Sequence, residues 1–451
     1  MNEKNKTFVY LGVAVALGLI ALFVKPGRLT PDAFLDQGEL FFPNFNNPNQ
    51  ATSLEVIDFD ETTGSAHPFK VSFENGRWVI PSHHNYPADA ADRLATTAAG
   101  VIDIRKDDFR SDNVSDHELC GVVDPLDDAS AGLSGRGKRV TIRGANDEVL
   151  ADFIVGKKVE GAQGMRFVRV PGEKRVYAVR MNIDISTKFS DWIDTDLLQV
   201  DKDKIDKVAL NDYSINERTG SVDQRDHITI VKNDKGWTGY QEKNRFSTDS
   251  SKVEVVLKAI DSLVIVGVRP KPAGISASLS ASSASAEIDQ SEINELRSKG
   301  FYITRSGQLM SNEGELIVQT EDGIVYTLRF GEVLYGSGLS VSAGGGDDGN
   351  DDQSRQANRY LFVTADFNQS QVKAPPKPSS MSFDGKADSL LTDNEKTNKQ
   401  KWETYQAWEG RMRDAKARAE ELNARFADWY YVISSTSFEK LHAGRKGLEA
   451  D

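Results

Sequence analysis

Four short stretches bring together side chains that could do chemistry. Gly132-Leu-Ser-Gly-Arg-Gly137-Lys138 has the glycines and lysine of a phosphate-cradling loop. That loop also needs Ser or Thr after the lysine to hold magnesium, and a helix whose first amides face the phosphate. Here Arg139 follows, then the extended pattern Val-Thr-Ile, so the stretch reads as a glycine-rich hairpin turn. Asp348-Gly-Asn350-Asp-Asp352 opens like a calcium loop. Gln353 stands where glycine is required and no Glu closes it, so it reads as an acidic, solvated linker. His83 and His84 are adjacent; in a strand they would point to opposite faces and could not share a metal. Asp124, Asp127 and Asp128 flank Pro125 and have turn chemistry. Among 68 acidic residues, acid pairs are too common to nominate a glycosidase. No Gly-x-Ser-x-Gly elbow supports a serine hydrolase. The expectation is a chain that is not an enzyme: no catalytic, cofactor-binding or metal-ligating residue is nominated, and no cofactor.

Composition narrows the class further. Lys and Arg number 55 against 68 Asp and Glu, a net charge of −13 over 451 residues. A chain this acidic is a poor candidate for nucleic acid, which needs a concentrated positive field. The single cysteine, Cys120, excludes an intrachain disulfide framework and a multi-cysteine zinc site. Phe8–Val24 is uncharged throughout. Its length of about 17 residues gives about 26 Å of helix, near the lower limit for a bilayer core. Lys4 and Lys6 flank it on one side, Lys25 and Arg28 on the other, and Pro26-Gly27 ends it. Ala14-Val15-Ala16 has the shape of a cleavage site, but a cut there would leave an apolar stretch at the new terminus. The expectation is a retained single-pass anchor, with the body outside the cytoplasm.

The elements behind these stretches recur. Leu54–Phe59 and Phe69–Phe73 alternate as strands, and the Asn75-Gly76 turn leads into the strand Arg77–Ile80. Pro87–Ile104 then has helical spacing. Ile205–Leu210 and His227–Val231 repeat the strands, Asp234-Lys-Gly236 turns into Trp237, and Asp249–Val264 repeats the helix. Phe189-Ser-Asp-Trp192 and Phe426-Ala-Asp-Trp429 close the two copies. Trp78 and Trp237 are expected to fill the interface of sheet and helix. The predicted fold is α+β: a transmembrane helix, then two tandem, related modules of mostly antiparallel sheet with a packed helix, and a long helical insertion near the C-terminus. The boundaries are 1–30 for the anchor, 51–200 and 204–368 for the modules, 369–425 for a linker and inserted helix, and 426–451 for a closing strand and short helix. Gly336–Gln356 and the Ser/Ala-rich stretch Ala273–Ala286 are expected to be loops.

The inserted helix carries its own signal. Tyr405, Trp408, Met412, Ala415, Ala419, Leu422 and Phe426 alternate steps of three and four, a heptad seam. Arg411, Arg418 and Arg425 at flanking positions would meet like charge in a self-pairing coil. The helix is therefore expected to pack on its own body. Trp429–Ile433 reads as a core strand, and Thr436-Ser-Phe-Glu439 as a capping box opening the last helix.

Gly76-Arg-Trp78-Val-Ile-Pro81, Tyr86-Pro87-Ala-Asp89, Gly236-Trp237 and Arg425-Phe-Ala-Asp-Trp-Tyr-Tyr-Val-Ile433 together resemble the bacterial domain-of-unknown-function family numbered 4340, over about Leu54 to Leu441. The resemblance implies an N-terminal membrane helix with an extracytoplasmic body, associated in some members with gliding-motility-type ABC transport systems. It implies no catalytic residue. The expected function is that of a single-pass protein of the bacterial cytoplasmic membrane with its body on the periplasmic side, an accessory or scaffold protein held by Phe8–Val24 and docking on an integral membrane component of an ABC-type transport complex or on another envelope complex. The alternatives are an envelope polysaccharide- or peptide-binding protein using a cleft between the modules and, third, a hydrolase.

Overall fold

The structure is a computed structural model that describes residues 12–15, 17–18, 36–127, 132–216, 218–280, 289–304, 307–336, 338–344 and 357–450. Apart from residues 12–15 and 17–18, the expected anchor Phe8–Val24 lies outside them. Among the described residues no helix is long and apolar enough to cross a membrane. Most of Gly336–Gln356, with its acidic stretch, and Asp128 also lie outside the described residues.

The chain is a mixed α+β protein with large antiparallel sheets. It forms two compact units: Met1–Ala51 with Thr96–Asp184, and Thr52–Ala95 with Ile185–Asp451. Unit two opens with a meander of β1 (Ser53–Asp60), β2 (Ser65–Glu74), β3 (Arg77–Ile80) and β4 (Tyr86–Pro87), followed in the chain by α1 (Ala91–Ile102). Asn75 and Gly76 both take positive φ, 53° and 81°, the geometry a tight hairpin turn demands. Unit one holds β5 (Asp108–Ser111), α2 (His117–Cys120), β6 (Lys138–Arg143), β7 (Val149–Lys158), β8 (Met165–Arg169) and β9 (Val176–Arg180), in the order β6-β7-β8-β9-β5.

The rest of unit two continues with β10 (Ile205–Asn216), β11 (Ser221–Asn233), β12 (Gly236–Gln241), β13 (Asn244–Ser247) and α3 (Ser250–Asp261). Next come β14 (Gly267–Pro270), α4 (Ala273–Ser280), α5 (Gln290–Ser298) and the small hairpin β15 (Phe301–Ile303) and β16 (Leu309–Ser311). Then follow β17 (Glu315–Thr320), β18 (Ile324–Tyr335), α6 (Gly338–Ser342), β19 (Ala357–Phe367), α7 (Asp393–Ala427), β20 (Trp429–Ile433) and α8 (Ser435–Leu441). Their nine-stranded sheet runs β13-β12-β11-β10-β17-β18-β19-β20-β14. The connectivity recurs. A four-strand meander leads to a helix, then to an edge strand, then to a second meander whose last strand lies beside that edge strand: β9 beside β5, and β20 beside β14.

Local chemistry sets several limits differently from the sequence reading. Tyr86–Pro87 pairs with β3, so the first helix begins at Ala91 rather than Pro87. Asp249 is the N-cap of α3, accepting from the amides of Ser251 and Lys252. Ser434, not Thr436, caps α8 by accepting from the Ser437 amide. Ala273–Ser280 is helical, not loop. Trp78 and Trp237 are half-buried rather than in the core. Each begins just past a turn glycine, and Trp78 leans on the exposed Phe73 at 5.3 Å. The two Phe-x-Asp-Trp stretches are not equivalent: Phe189–Trp192 follows β9, whereas Phe426 lies in the last turn of α7 and Trp429 starts β20. The aromatic strand β20 is core, with Tyr430, Tyr431, Val432 and Ile433 fully buried.

The long helix α7 matches its heptad seam. Thr392 caps it in a capping box with Glu395. Tyr405, Trp408, Met412, Ala415, Ala419, Leu422 and Phe426 are all buried. The helix packs on β19 and on α4, and Phe367 and Val372 lie against Tyr405, Trp408 and Met412. Lys271 closes the far end. Its Nζ donates to the Phe426 carbonyl at 2.8 Å and sits 3.7 Å from the centre of the Phe362 ring. Burial drives its ammonium well below the usual lysine range. Leu422→Ala should lower stability by about 2–5 kcal/mol in urea unfolding, whereas Lys416→Ala on the exposed face should change it by under about 0.5 kcal/mol.

Candidate functional site

Unit two holds a cleft of about 730 Å³, within the range of small-molecule sites. Three parts of the chain build it. The first is the turn between β1 and β2. Asp60 accepts from the Thr62 amide at 2.7 Å and from the Thr63 amide at 3.4 Å, which curls the chain; Asp58, Asp60 and Glu61 are among the residues that line the cleft. Those amide bonds hold the Asp60 carboxyl below the usual range. Phe69, paired with Val56 in the β1–β2 ladder, supplies apolar wall. The second part is the tight turn that carries Phe189. It is tied down by Trp192, whose indole Nε1 donates to the Ser186 carbonyl at 3.0 Å.

The third part is the segment Val264–Val266 with the end of α6. The Val266 amide donates to the Val432 carbonyl at 2.8 Å, fixing this wall to β20. Gly267 must be glycine, since a Cβ there would overlap the Val341 carbonyl oxygen. Arg269 caps α6 from below: Nη1 donates to the Val341 carbonyl at 3.0 Å and Nη2 to that of Ser340 at 2.7 Å. Together these deliver Ser342 to the cleft.

His83 lies at the bottom, 2% exposed. Its Nδ1 is 3.0 Å from the Ser82 hydroxyl and its Nε2 is 3.0 Å from the Ser342 hydroxyl. Its ring stacks on Phe189 at 4.6 Å and 8°. His84 does not lie in a strand with it. His84 takes the left-handed conformation, φ 58°, and its Nε2 contacts the Ala343 carbonyl at 2.7 Å. The two rings therefore reach the same short segment, because a turn rather than an extended backbone sets their directions.

Ser342 and His83 have the separation of a nucleophile and its base. Two features set the pair apart from that role. Burial, with His84 and the positive Arg269 nearby, pushes the imidazole down to about 4, so its conjugate acid is far from the near-neutral value a general base wants. Its second nitrogen faces a hydroxyl, where an orienting carboxylate would stand. Nothing in the sequence linked His83 to Ser342, which are 259 residues apart.

The other sequence candidates are structural. Gly132–Gly137 leads by a turn into β6 and not into a helix. Arg136 donates from it to the carbonyls of Asp124, Pro125 and Asp127. Asp124 accepts from the Leu126 amide at 2.9 Å, as turn chemistry requires, and from Arg139 at 3.2 Å. This network borders a second cleft of about 730 Å³ in unit one. There Arg139 grips Asp152 with two nitrogens at 3.0 and 2.7 Å, and Arg169 donates to the carbonyls of Val122 and Glu173. His117 Nε2 contacts the Lys174 carbonyl at 2.8 Å. Among the described residues no group of three His, Cys, Asp or Glu could hold a metal ion.

The buried His83 makes the fold pH-sensitive. Its folded value is near 4, against an ordinary value of 6.5. The unfolded chain takes up a proton as pH falls below 6.5 while the folded chain does not until about 4. Stability present above pH 6.5 should thus be lost progressively toward pH 4, by up to about 3 kcal/mol. His83→Gln should flatten that limb, read as the difference between urea midpoints at about pH 7.5 and about pH 4.5.

No curated protein and no solved structure matches the chain. The family match is narrower than the resemblance in the sequence and leaves out the closing motif Arg425–Ile433. It takes in His83, Phe189 and Val264–Val266, but neither Asp58–Phe69 nor Ser342. From Trp78 in β3 to Leu279 in α4, residues 78–279 match the family described as Domain of unknown function (DUF4340), the family that Gly76–Pro81 and Tyr86–Asp89 resemble.

Proposed function

We propose that this chain is a membrane-anchored accessory protein of the bacterial envelope that works by recognition rather than by chemistry. In this reading Phe8–Val24 tethers it to the cytoplasmic membrane. Two tandem copies of one α+β module stand on the periplasmic side as a scaffold for an integral membrane transporter component of the ABC type. The observation that carries the reading is the use made of the reactive side chains. His83, His84 and His117 are bound to hydroxyls or carbonyls, Lys271 to a carbonyl, and Asp152 to Arg139. Each is spent on holding the fold. The uncharged run Phe8–Val24 and the recurring strand order support the anchor and the duplication.

The size of the unit-two cleft favours a second reading, an envelope ligand binder for peptide or polysaccharide. The two readings separate by experiment. Full-length protein should fractionate with membranes and cross-link to a permease at native expression. Deleting residues 8–24 should release it into the soluble fraction. Recovery of the full-length chain as a lone soluble monomer would sink the docking reading and leave the ligand-binding one.

A further inference from the structure

We infer that the unit-one cleft binds an extended, apolar peptide segment of a partner protein by its main chain. Neither the membrane anchor nor the unit-two cleft enters this reading. Two lining side chains, His117 at 7% exposed and Arg169 at 6%, are almost wholly buried. Holding the fold takes only part of each. A carbonyl only accepts, so His117 Nε2 carries the proton it gives to Lys174, and in the neutral ring Nδ1 is an acceptor. Arg169 gives Nε to the Val122 carbonyl and Nη1 to those of Val170 and Glu173. Among the described residues nothing donates to His117 Nδ1 and nothing accepts from Arg169 Nη2. Neither atom is sealed in the packing. The two side chains hang from the neighbouring carbonyls of Glu173 and Lys174. Both are also tied to Val122, whose amide donates to the His117 carbonyl at 2.9 Å. One wall of the cleft therefore offers a donor and an acceptor together.

An extended peptide matches that pair, because the N–H and C=O of one residue leave the same edge of the chain. Arg169 Nη2 donates to the C=O, and His117 Nδ1 accepts from the N–H. A free carboxylate matches less well. Among the described lining residues, Glu118, Asp124, Asp127 and Glu173 stand with the cations Arg139, Arg169 and Lys174. An added negative charge would give up its hydration with no net positive field to replace it, and a neutral carbonyl gives up less. The rim supplies apolar surface that is open to solvent. Val114 and Leu126 line the cleft, Leu119 and Leu133 adjoin the lining residues Glu118 and Ser134, and these four are between 49% and 74% exposed. They form one patch. Arg136 donates to the Gly132 carbonyl and to those of Asp124, Pro125 and Asp127, which holds Leu133 near Leu126. The Ser134 hydroxyl donates to the Glu118 carboxylate, which holds Leu133 near Leu119. Exposed apolar side chains gathered around a cleft mark an interaction surface. Alternate side chains of an extended peptide cover such a rim while its main chain bonds to the wall.

Blocked peptides test this by calorimetry on the full chain in detergent at about pH 8, where imidazole is neutral, with detergent alone as the blank. Acetyl-Leu-Ala-Leu-Ala-dimethylamide should bind saturably. Its depsipeptide analogue, with ester oxygens in place of the backbone N–H groups, should bind about tenfold more weakly. The all-glycine counterpart, with no side chains for the rim, should not saturate. In histidine-labelled protein the peptide should move the His117 Nδ1 resonance and the depsipeptide should not. Leu126→Ser with Leu133→Ser, both at exposed positions that the fold tolerates, should weaken the peptide about tenfold. Equal affinity for peptide and depsipeptide, a stationary His117 signal, or full affinity in the leucine variant would each overturn the site. So would the absence of saturable binding. A bimane label on Leu126→Cys, in a Cys120→Ser background, quenched by brominated lipid in reconstituted vesicles while no peptide binds, would overturn it in favour of a bilayer contact.

Discussion

The docking of α7 on its own sheet is the interaction on which the candidate site depends. The helix sits in the connection between β19 and β20, so its packing decides where β20 lies. Its seam buries Tyr405 through Phe426, and Lys271 fastens its last turn to β14 by donating to the Phe426 carbonyl. β20 then pairs with β14, Val432 opposite Gly267, and the Val266 amide bonds back to Val432. Those contacts set the Val264–Val266 wall of the cleft. A charged-looking insertion thus acts as a structural part of the site. The buried amine is tolerable because it is held by a carbonyl and an aromatic face and because burial favours its neutral form.

The same logic quiets the rest of the chemistry-capable groups. Burial charges a high cost for an unpaired ion, so the interior keeps its polar side chains neutral or pairs them. His83 is held neutral between two hydroxyls and a phenyl ring. Arg139 and Arg169 are held by carboxylates and carbonyls at the edge of unit one.

Much of the framework was legible because it depends on neighbours in the chain. Asn75-Gly76 demanded a tight hairpin turn and takes the positive φ that such a turn needs. The steps of three and four in the long helix named seven residues that are buried along it, Tyr405 through Phe426. Absence of Ser or Thr after Lys138 separated a hairpin turn from a phosphate loop. Misreadings fell where tertiary context outweighed a local cue. Trp78 and Trp237 look like core by size, yet both sit on the half-buried face just past a turn. Ala273–Ser280 looks like a low-complexity loop, yet it is a helix packed against α7, with Ile275 buried among Leu296, Phe301, Phe362 and Tyr430. The Phe-x-Asp-Trp pair shares letters and not position, since four residues are too few to fix a register.

By itself the sequence determined the hairpin turn at Asn75-Gly76 and the apolar seam of the inserted helix, because turn chemistry and apolar period act over a few residues. It also determined the acidic balance. The meeting of His83 with Ser342, the approach of α6 to β14 over Gly267, and the wall of Val264–Val266 were decided only in the folded chain. Each joins residues whose proximity follows from strand pairing and helix docking over long separations. No local pattern encodes such a meeting, because its energy comes from closing the sheet and covering it, and not from the two residues that finally touch.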